Sequence, residues 1–246
     1  MPKSNEMRKK NADALRELKR ELALGYRILG ENGLGLGLLA HLTARLPGAD
    51  TFWTYQLGMS VEEVRVADLA EARFDATPVR PSSRINPSIA IHGDIYNARP
   101  DVLCIVHHHG DNGVALGAIG AMLLPFDRNA GRWHGEIDIV ADFEAPAIKN
   151  QGASLVQVLG LQKKALLLKH HGVVVTGRNI HDAVVATVEL ERSCGVQLKA
   201  MAAGQLHTMP AAEIEDCKHF LASDAFAEGT WSYYRRRIAR KGLDDV

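Results

Sequence analysis

The chain has 246 residues, 46% of them hydrophobic, and its 29 basic residues balance 29 acidic ones. That is enough apolar material for one substantial core, and zero net charge leaves no electrostatic footprint for nucleic acid or an anionic membrane surface. No apolar stretch approaches the length of a membrane span, and residues 1–20 are too polar for a secretory signal. Cys104, Cys194 and Cys217 are few and far apart, which argues for reduced thiols in a cytoplasmic protein.

In chain order, Leu15, Leu18, Leu22 and Ile28 recur at helical spacing and predict a helix over 5–31, stopped by Gly33, Gly35 and Gly37. Two strands follow, Ala40–Leu46 and Thr51–Tyr55, joined by a Pro47-Gly48 turn, and Val64–Val66 begins another. Residues 78–86 read as a loop, and Pro87 suits the first turn of a helix to Ala98. Val102–Val106 is a buried strand, and Asp111 is placed to cap a helix to Ile119. Met122–Leu124, Ile137–Val140, Ala165–Leu168 and Val173–Val175 are strand candidates. Helices are expected over Ala147–Leu159, Ile180–Ala203 with Asn179 as its cap, Ala211–Leu221 and Trp231–Lys241. With no repeat and no long linker, one α/β domain over 1–246 is the economical reading, its helical tail covering 211–241.

Eleven histidines is a high count for this length, and most lie between His92 and His181. His107, His108 and His109 close the strand that begins at Val102. Side chains alternate across a strand, so His107 and His109 share a face and His108 takes the other. Lys169-His170-His171-Gly172 closes a second apolar run and offers a third nitrogen ligand. Three neutral imidazoles with an open position suit a catalytic Zn, Mn, Fe or Co ion.

Three blocks resemble the class II aldolase/adducin head family: Leu42–Gly48; Ile91–Val102 with the following His107 and His109; and Leu168–Gly177. The resemblance implies a three-layer α/β/α sandwich around a mixed, largely antiparallel sheet. It also implies one divalent metal per subunit on His107, His109 and His171, and a homotetramer with active sites between subunits. Within it, His170 stands where Asn is frequent. Family reactions include aldol cleavage of sugar phosphates, epimerisation, dehydration and decarboxylation; some relatives are iron oxygenases, and adducins are not catalytic.

Two departures matter. Ser88 stands where sugar-phosphate aldolases carry an acidic residue, and Ala40-His41 replaces their phosphate-binding Gly-Asn. Both point to a non-phosphorylated acid. Arg84, with Arg80, could clamp its carboxylate. His134 could donate a proton into a neighbouring subunit's site, and Tyr233 could close the site from the C-terminal helix. His92 reads as a supporting helix residue with Asp94 either its partner or solvent-facing, and Glu189 and Glu191 read as structural.

Decarboxylation needs an electron sink and a later proton donor but no base, so it tolerates Ser88 better than an aldol cleavage does. The expected function is therefore a divalent-metal-dependent carbon–carbon lyase. It would decarboxylate a non-phosphorylated hydroxy- or oxo-carboxylic acid, aromatic ones included, with the metal holding the enolate charge. Alternatives are aldol cleavage of such an acid, a non-heme iron oxygenase, or an adducin-like interaction module without metal.

Overall fold

The computed structural model describes residues 2–35, 37–141 and 151–246. In chain order the elements are α1 (Pro2–Glu31), β1 (His41–Ala44), β2 (Thr51–Tyr55), β3 (Leu69–Arg73), α2 (Ala90–Ala98), β4 (Cys104–His108), α3 (Asp111–Ala118), α4 (Arg128–Gly131), β5 (Ile137–Val140), α5 (Gln151–Leu159), β6 (Ala165–Leu168), β7 (Val173–Gly177), α6 (Ile180–Ala203), α7 (Ala211–Leu221) and α8 (Asp224–Ala239).

The seven strands form one sheet in the order β3-β2-β1-β4-β7-β6-β5. Only β5 and β6 run parallel; every other neighbouring pair is antiparallel. Alternation along β4 sorts its side chains between two layers. Cys104 and Val106 pack with Leu22 and Ile28 of α1 and Val184 of α6. Ile105 packs with Ile91 and Ile95 of α2 and Leu155 of α5. Helices therefore cover both faces, which is the expected three-layer arrangement.

Register brings the strand ends that matter together. His41 opposes His107 across β1 and β4, and His108 opposes Val173 across β4 and β7. The β6–β7 turn therefore lies at the same end of the sheet as the close of β4. Because β5 is parallel to β6, with Ile137 opposite Ala165, the residues leading into β5 lie at the other end.

Most elements agree with the expectations, and the exceptions have local causes. Val64–Val66 is not a strand: the Asp68 carboxylate accepts from the Arg65 backbone N–H at 2.9 Å, and the Asp68 N–H donates to the Arg65 carbonyl at 3.0 Å. That closes a 3-10 turn over Val66–Asp68 and delays the strand to Leu69. Met122–Leu124 is not a strand either. Gln197 of α6 takes its backbone groups instead, accepting from Leu124 N–H at 2.7 Å and donating to the Met122 carbonyl at 2.9 Å. Asp111 does not cap α3; Gly110 stands at the cap position, and a side chain from another helix does the capping.

The last helix begins at Asp224, seven residues before its expected start, because the Ser223 hydroxyl accepts from Phe226 N–H and caps it there. α1 begins at Pro2 rather than residue 5. The expected helix over Ala147–Leu159 is seen from Gln151 onward; residues 147–150 lie outside the described part. At Pro47-Gly48 the chain turns as expected, with Ala49 N–H donating to the Leu46 carbonyl and Gly48 at φ +74°. No helix among the described residues is long and apolar enough to cross a membrane.

Candidate metal centre

Three histidines converge where β4 ends and the β6–β7 turn passes. His107 Nε2 and His109 Nε2 are 3.0 Å apart. The His171 ring stacks on His107 at 5.2 Å between centroids and meets His109 edge-on at 4.6 Å. One nitrogen from each of the three lies within 4.8 Å of the others, a grouping that could hold a metal ion.

The backbone explains why these three meet. His107 is the last residue of β4 facing the α2–α5 layer, and His109 is two residues on, so both point the same way. The His171 turn is drawn back by Leu168 N–H, which donates to the Gly172 carbonyl at 2.8 Å, and by His171 N–H, which donates to the Leu168 carbonyl at 3.0 Å. This turn puts His170 at φ +61°, a conformation in which Asn and His are over-represented. At Gly172 a Cβ would sit 2.5 Å from the His108 carbonyl oxygen and 3.2 Å from His107 Cε1. Only glycine lets the turn come this close.

The donor set fits a divalent metal. His107 Nδ1–H donates to the Val173 carbonyl at 3.0 Å, so Nε2 is the nitrogen left to ligate. Burial, and then His41, His109, His171 and His92 in that order, hold the His107 imidazole well below its ordinary range. His109 is pushed down to about 4 by burial and then by His171, and burial lowers His171 as well. All three are held in the neutral form that binds metal. His108 faces the other way, accepting from Gly110 N–H at 3.0 Å, and stands outside the cluster as expected.

Two further imidazoles line the same region. His41 lies 5.4 Å from His107 between ring centroids and 5.9 Å from His92. Its Nε2 is 2.9 Å from Asn86 Nδ2. His92 Nδ1 is 2.8 Å from the Thr43 hydroxyl, which in turn is 2.8 Å from the Tyr96 hydroxyl. So His92 is buried support, its partner is Thr43, and Asp94 faces solvent. Sequence reasoning passed over Asn86. The signal was an Asn directly before Pro at a helix start, which is a cap pattern.

The structure separates the other expected residues. Arg84 is exposed in the loop that ends at Asn86, so it is at the same end of the sheet as the cluster. Arg80 lies in the same loop and lines a cavity of about 430 Å³ with Lys19 and Trp53. His134 precedes β5 and lines a cavity of about 530 Å³ at the opposite end of the sheet. Tyr233 is 47% exposed on α8, in the helical layer on the far face, its ring tilted by 58° against that of Tyr234. Within one chain neither His134 nor Tyr233 reaches the cluster.

Glu191 has the structural role expected of it. From α6 its carboxylate accepts from Asn112 N–H at 2.8 Å and Gly113 N–H at 2.9 Å, closing the first turn of α3. Glu189 lies 3.9 Å from the buried Arg132 guanidinium.

A cluster of three imidazoles at one end of a mixed sheet between helical layers defines an α/β/α protein with a candidate metal site. Residues 20–198 match the class II aldolase and adducin N-terminal domain, and the chain belongs to that family. It is 33% identical over 179 residues to the decarboxylase NovR of Streptomyces niveus, covering 71% of this chain and 66% of that protein. It is 32% identical to a 4-hydroxy-3-prenylphenylpyruvate oxygenase/4-hydroxy-3-prenylbenzoate synthase of Streptomyces roseochromogenus, over 71% of this chain and 64% of that one. The chain thus spans about two thirds of these two relatives. Alpha-adducin of Rattus norvegicus is 29% identical over 75% of this chain and 26% of its own length. Among solved structures, an aldolase II superfamily protein from Pseudomonas syringae superposes with a TM-score of 0.84 at 25% identity, covering 93% and 94% of the two chains. An L-fuculose 1-phosphate aldolase from Glaciozyma antarctica gives 0.81 at 26% identity, covering 91% and 90%.

Proposed function

We propose that the chain is a divalent-metal-dependent carbon–carbon lyase that decarboxylates a non-phosphorylated hydroxy- or oxo-carboxylic acid. The observation that carries this reading is the composition of the cluster. Among the described residues the group that could hold an ion consists of three imidazoles, and Ser88 offers its backbone N–H to Asn86 where an acidic side chain would be expected. A site that shows no carboxylate base among the described residues suits loss of CO₂ better than abstraction of a proton. The 33% identity to a protein named as a decarboxylase supports the same choice.

In this reading His107, His109 and His171 hold the ion, whether Zn, Mn, Fe or Co. The bound ion supplies Lewis acidity to a substrate oxygen beside the bond that breaks. Arg84 pairs with the substrate carboxylate from the loop before α2, at the same end of the sheet. His134 and Tyr233, which do not reach the cluster within one chain, are assigned to the site of a neighbouring subunit. The reading takes the chain as a single-domain subunit of a cytoplasmic homotetramer with active sites between subunits.

A second reading is an iron-dependent oxygenase on the same three histidines, favoured by the relative whose name includes an oxygenase. The experiment is a panel of hydroxy- and oxo-acids, aromatic and aliphatic, offered to protein loaded in turn with Zn, Mn, Co and Fe. Release of CO₂ without O₂ uptake supports the decarboxylase. Aldehyde release instead identifies an aldolase, and O₂ uptake confined to the iron form identifies the oxygenase.

A further inference from the structure

His41 is 4% exposed, and its Nδ1 finds no hydrogen-bond partner among the described residues. Its other nitrogen is engaged, and the chain of bonds behind it settles where the proton is. Ser88 N–H donates to Asn86 Oδ1 at 3.0 Å. A backbone N–H can only donate, so the atom facing it is the amide oxygen, and the amide orientation of Asn86 is fixed. The atom 2.9 Å from His41 Nε2 is then the Asn86 NH₂, which can only donate. Nε2 is therefore the acceptor, and a neutral His41 carries its hydrogen on Nδ1. Burial, followed by the neighbouring His109 and His171, pushes His41 down to about 4, in keeping with a neutral ring.

The result is a buried N–H donor beside the imidazole cluster, aligned by a relay that starts at the backbone of Ser88 and left without an acceptor among the described residues. An unsatisfied buried donor costs about 1–3 kcal/mol and calls for an explanation. His92 offers a contrast. Its partner is a hydroxyl, which donates or accepts, so nothing sets its tautomer.

We propose that His41 is the hydrogen-bond donor for an oxyanion of the bound acid, with Asn86 the positioning residue that keeps the proton on Nδ1. The proposal rests on the reading of a metal-held carboxylic acid at His107, His109 and His171. In its terms, Ser88 offers no side-chain acid but a backbone N–H whose effect passes through Asn86 to His41. The class of ligand is a small carboxylate or enolate with an oxygen free to accept alongside the metal.

The test uses the full chain, oxalate as probe and two readouts. Long-range ¹H–¹⁵N spectra of the zinc-loaded protein, with His41→Asn to assign the signals, report the tautomer. The wild type shows His41 protonated at Nδ1. Asn86→Asp reverses this, since a carboxylate accepts from Nε2–H. Calorimetric titration then reads oxalate affinity at equal metal content. His41→Phe weakens it about tenfold or more, as does Asn86→Asp, whereas His41→Asn, whose amide N–H falls near the δ position, stays close to wild type.

A wild-type His41 protonated at Nε2 overturns the proposal. So does His41→Phe with wild-type oxalate affinity, the outcome expected if only a water sits on Nδ1. Protein that takes up no metal contradicts the lyase reading instead. The proposal is then judged by the tautomer and by whether oxalate moves the His41 Nδ1–H signal, an unmoved signal overturning it. Should His41→Phe not fold, the wild-type tautomer and Asn86→Asp decide.

Discussion

His107 Nδ1 donates to the Val173 carbonyl at 3.0 Å across the β4–β7 pairing, and this one bond decides which nitrogen of His107 is available to a metal. The acceptor belongs to the strand that follows the His171 turn. The same strand pairing therefore orients one ligand and delivers the next. Metal sites commonly fix a ligating imidazole through its second nitrogen in this way.

The closeness of that turn rests on Gly172. In Gly172→Ala the new methyl meets the His108 carbonyl oxygen at 2.5 Å, an atom held in the sheet, and His109 Cδ2 at 3.1 Å. The turn must retreat and carry His171 away from His107. Metal affinity, read by competition with a chelator, is expected to fall about tenfold or more, and overpacking is expected to cost about 1–3 kcal/mol of stability. Wild-type affinity in Gly172→Ala would show that the turn has slack.

Glu191 holds the start of α3, directly after the histidine segment, by accepting two backbone N–H groups. Glu191→Gln keeps the size and replaces one acceptor oxygen with a donor, leaving a buried N–H without a partner. A loss of roughly 1–3 kcal/mol follows, seen as a melting temperature lower by about 2–10 °C. An unchanged melting temperature would show that water replaces the lost acceptor.

How much of this was legible in the sequence depends on where each signal is stored. β4, β6 and β7 are continuous apolar runs, and their histidine-bearing ends could be read directly. β3 could not, because Leu69-Ala70-Glu71-Ala72-Arg73 has little strand preference and is held by pairing with β2. Met122–Leu124 looked like a strand, and its backbone bonds went to one glutamine on α6. The ligand candidates were visible because they sit in short motifs. The partnership of His41 with Asn86, 45 residues apart, was not. It depends on how the loop before α2 folds back onto β1, which no local pattern encodes.

The junction of α1, α6 and α8 gives a pH-dependent prediction. Glu21 of α1 is 2.9 Å from His181 Nε2 and 3.8 Å from the Arg235 guanidinium. Burial pushes its carboxyl up, but the hydrogen bond and charge of His181, with Arg235, outweigh this and leave it below its ordinary 4.5. A depressed folded-state value means the contribution is present above the unfolded-state value and is lost as pH falls through the folded one. Glu21→Gln is therefore expected to be less stable than wild type near pH 7, with the gap in denaturation midpoint closing below about pH 4.5. A gap that stays constant to about pH 3 would remove Glu21 ionisation from the account.

The central claim, that three histidines of this chain hold a catalytic divalent ion, is tested most directly by the metal content of the purified protein beside that of His109→Ala. Elemental analysis after gentle purification, or after reloading with Zn, Mn, Co or Fe, is expected to find about one ion per chain in the wild type. It is expected to find essentially none in a variant that still unfolds cooperatively. No stoichiometric metal in the wild type under any of these conditions, or equal metal in His109→Ala, would contradict it.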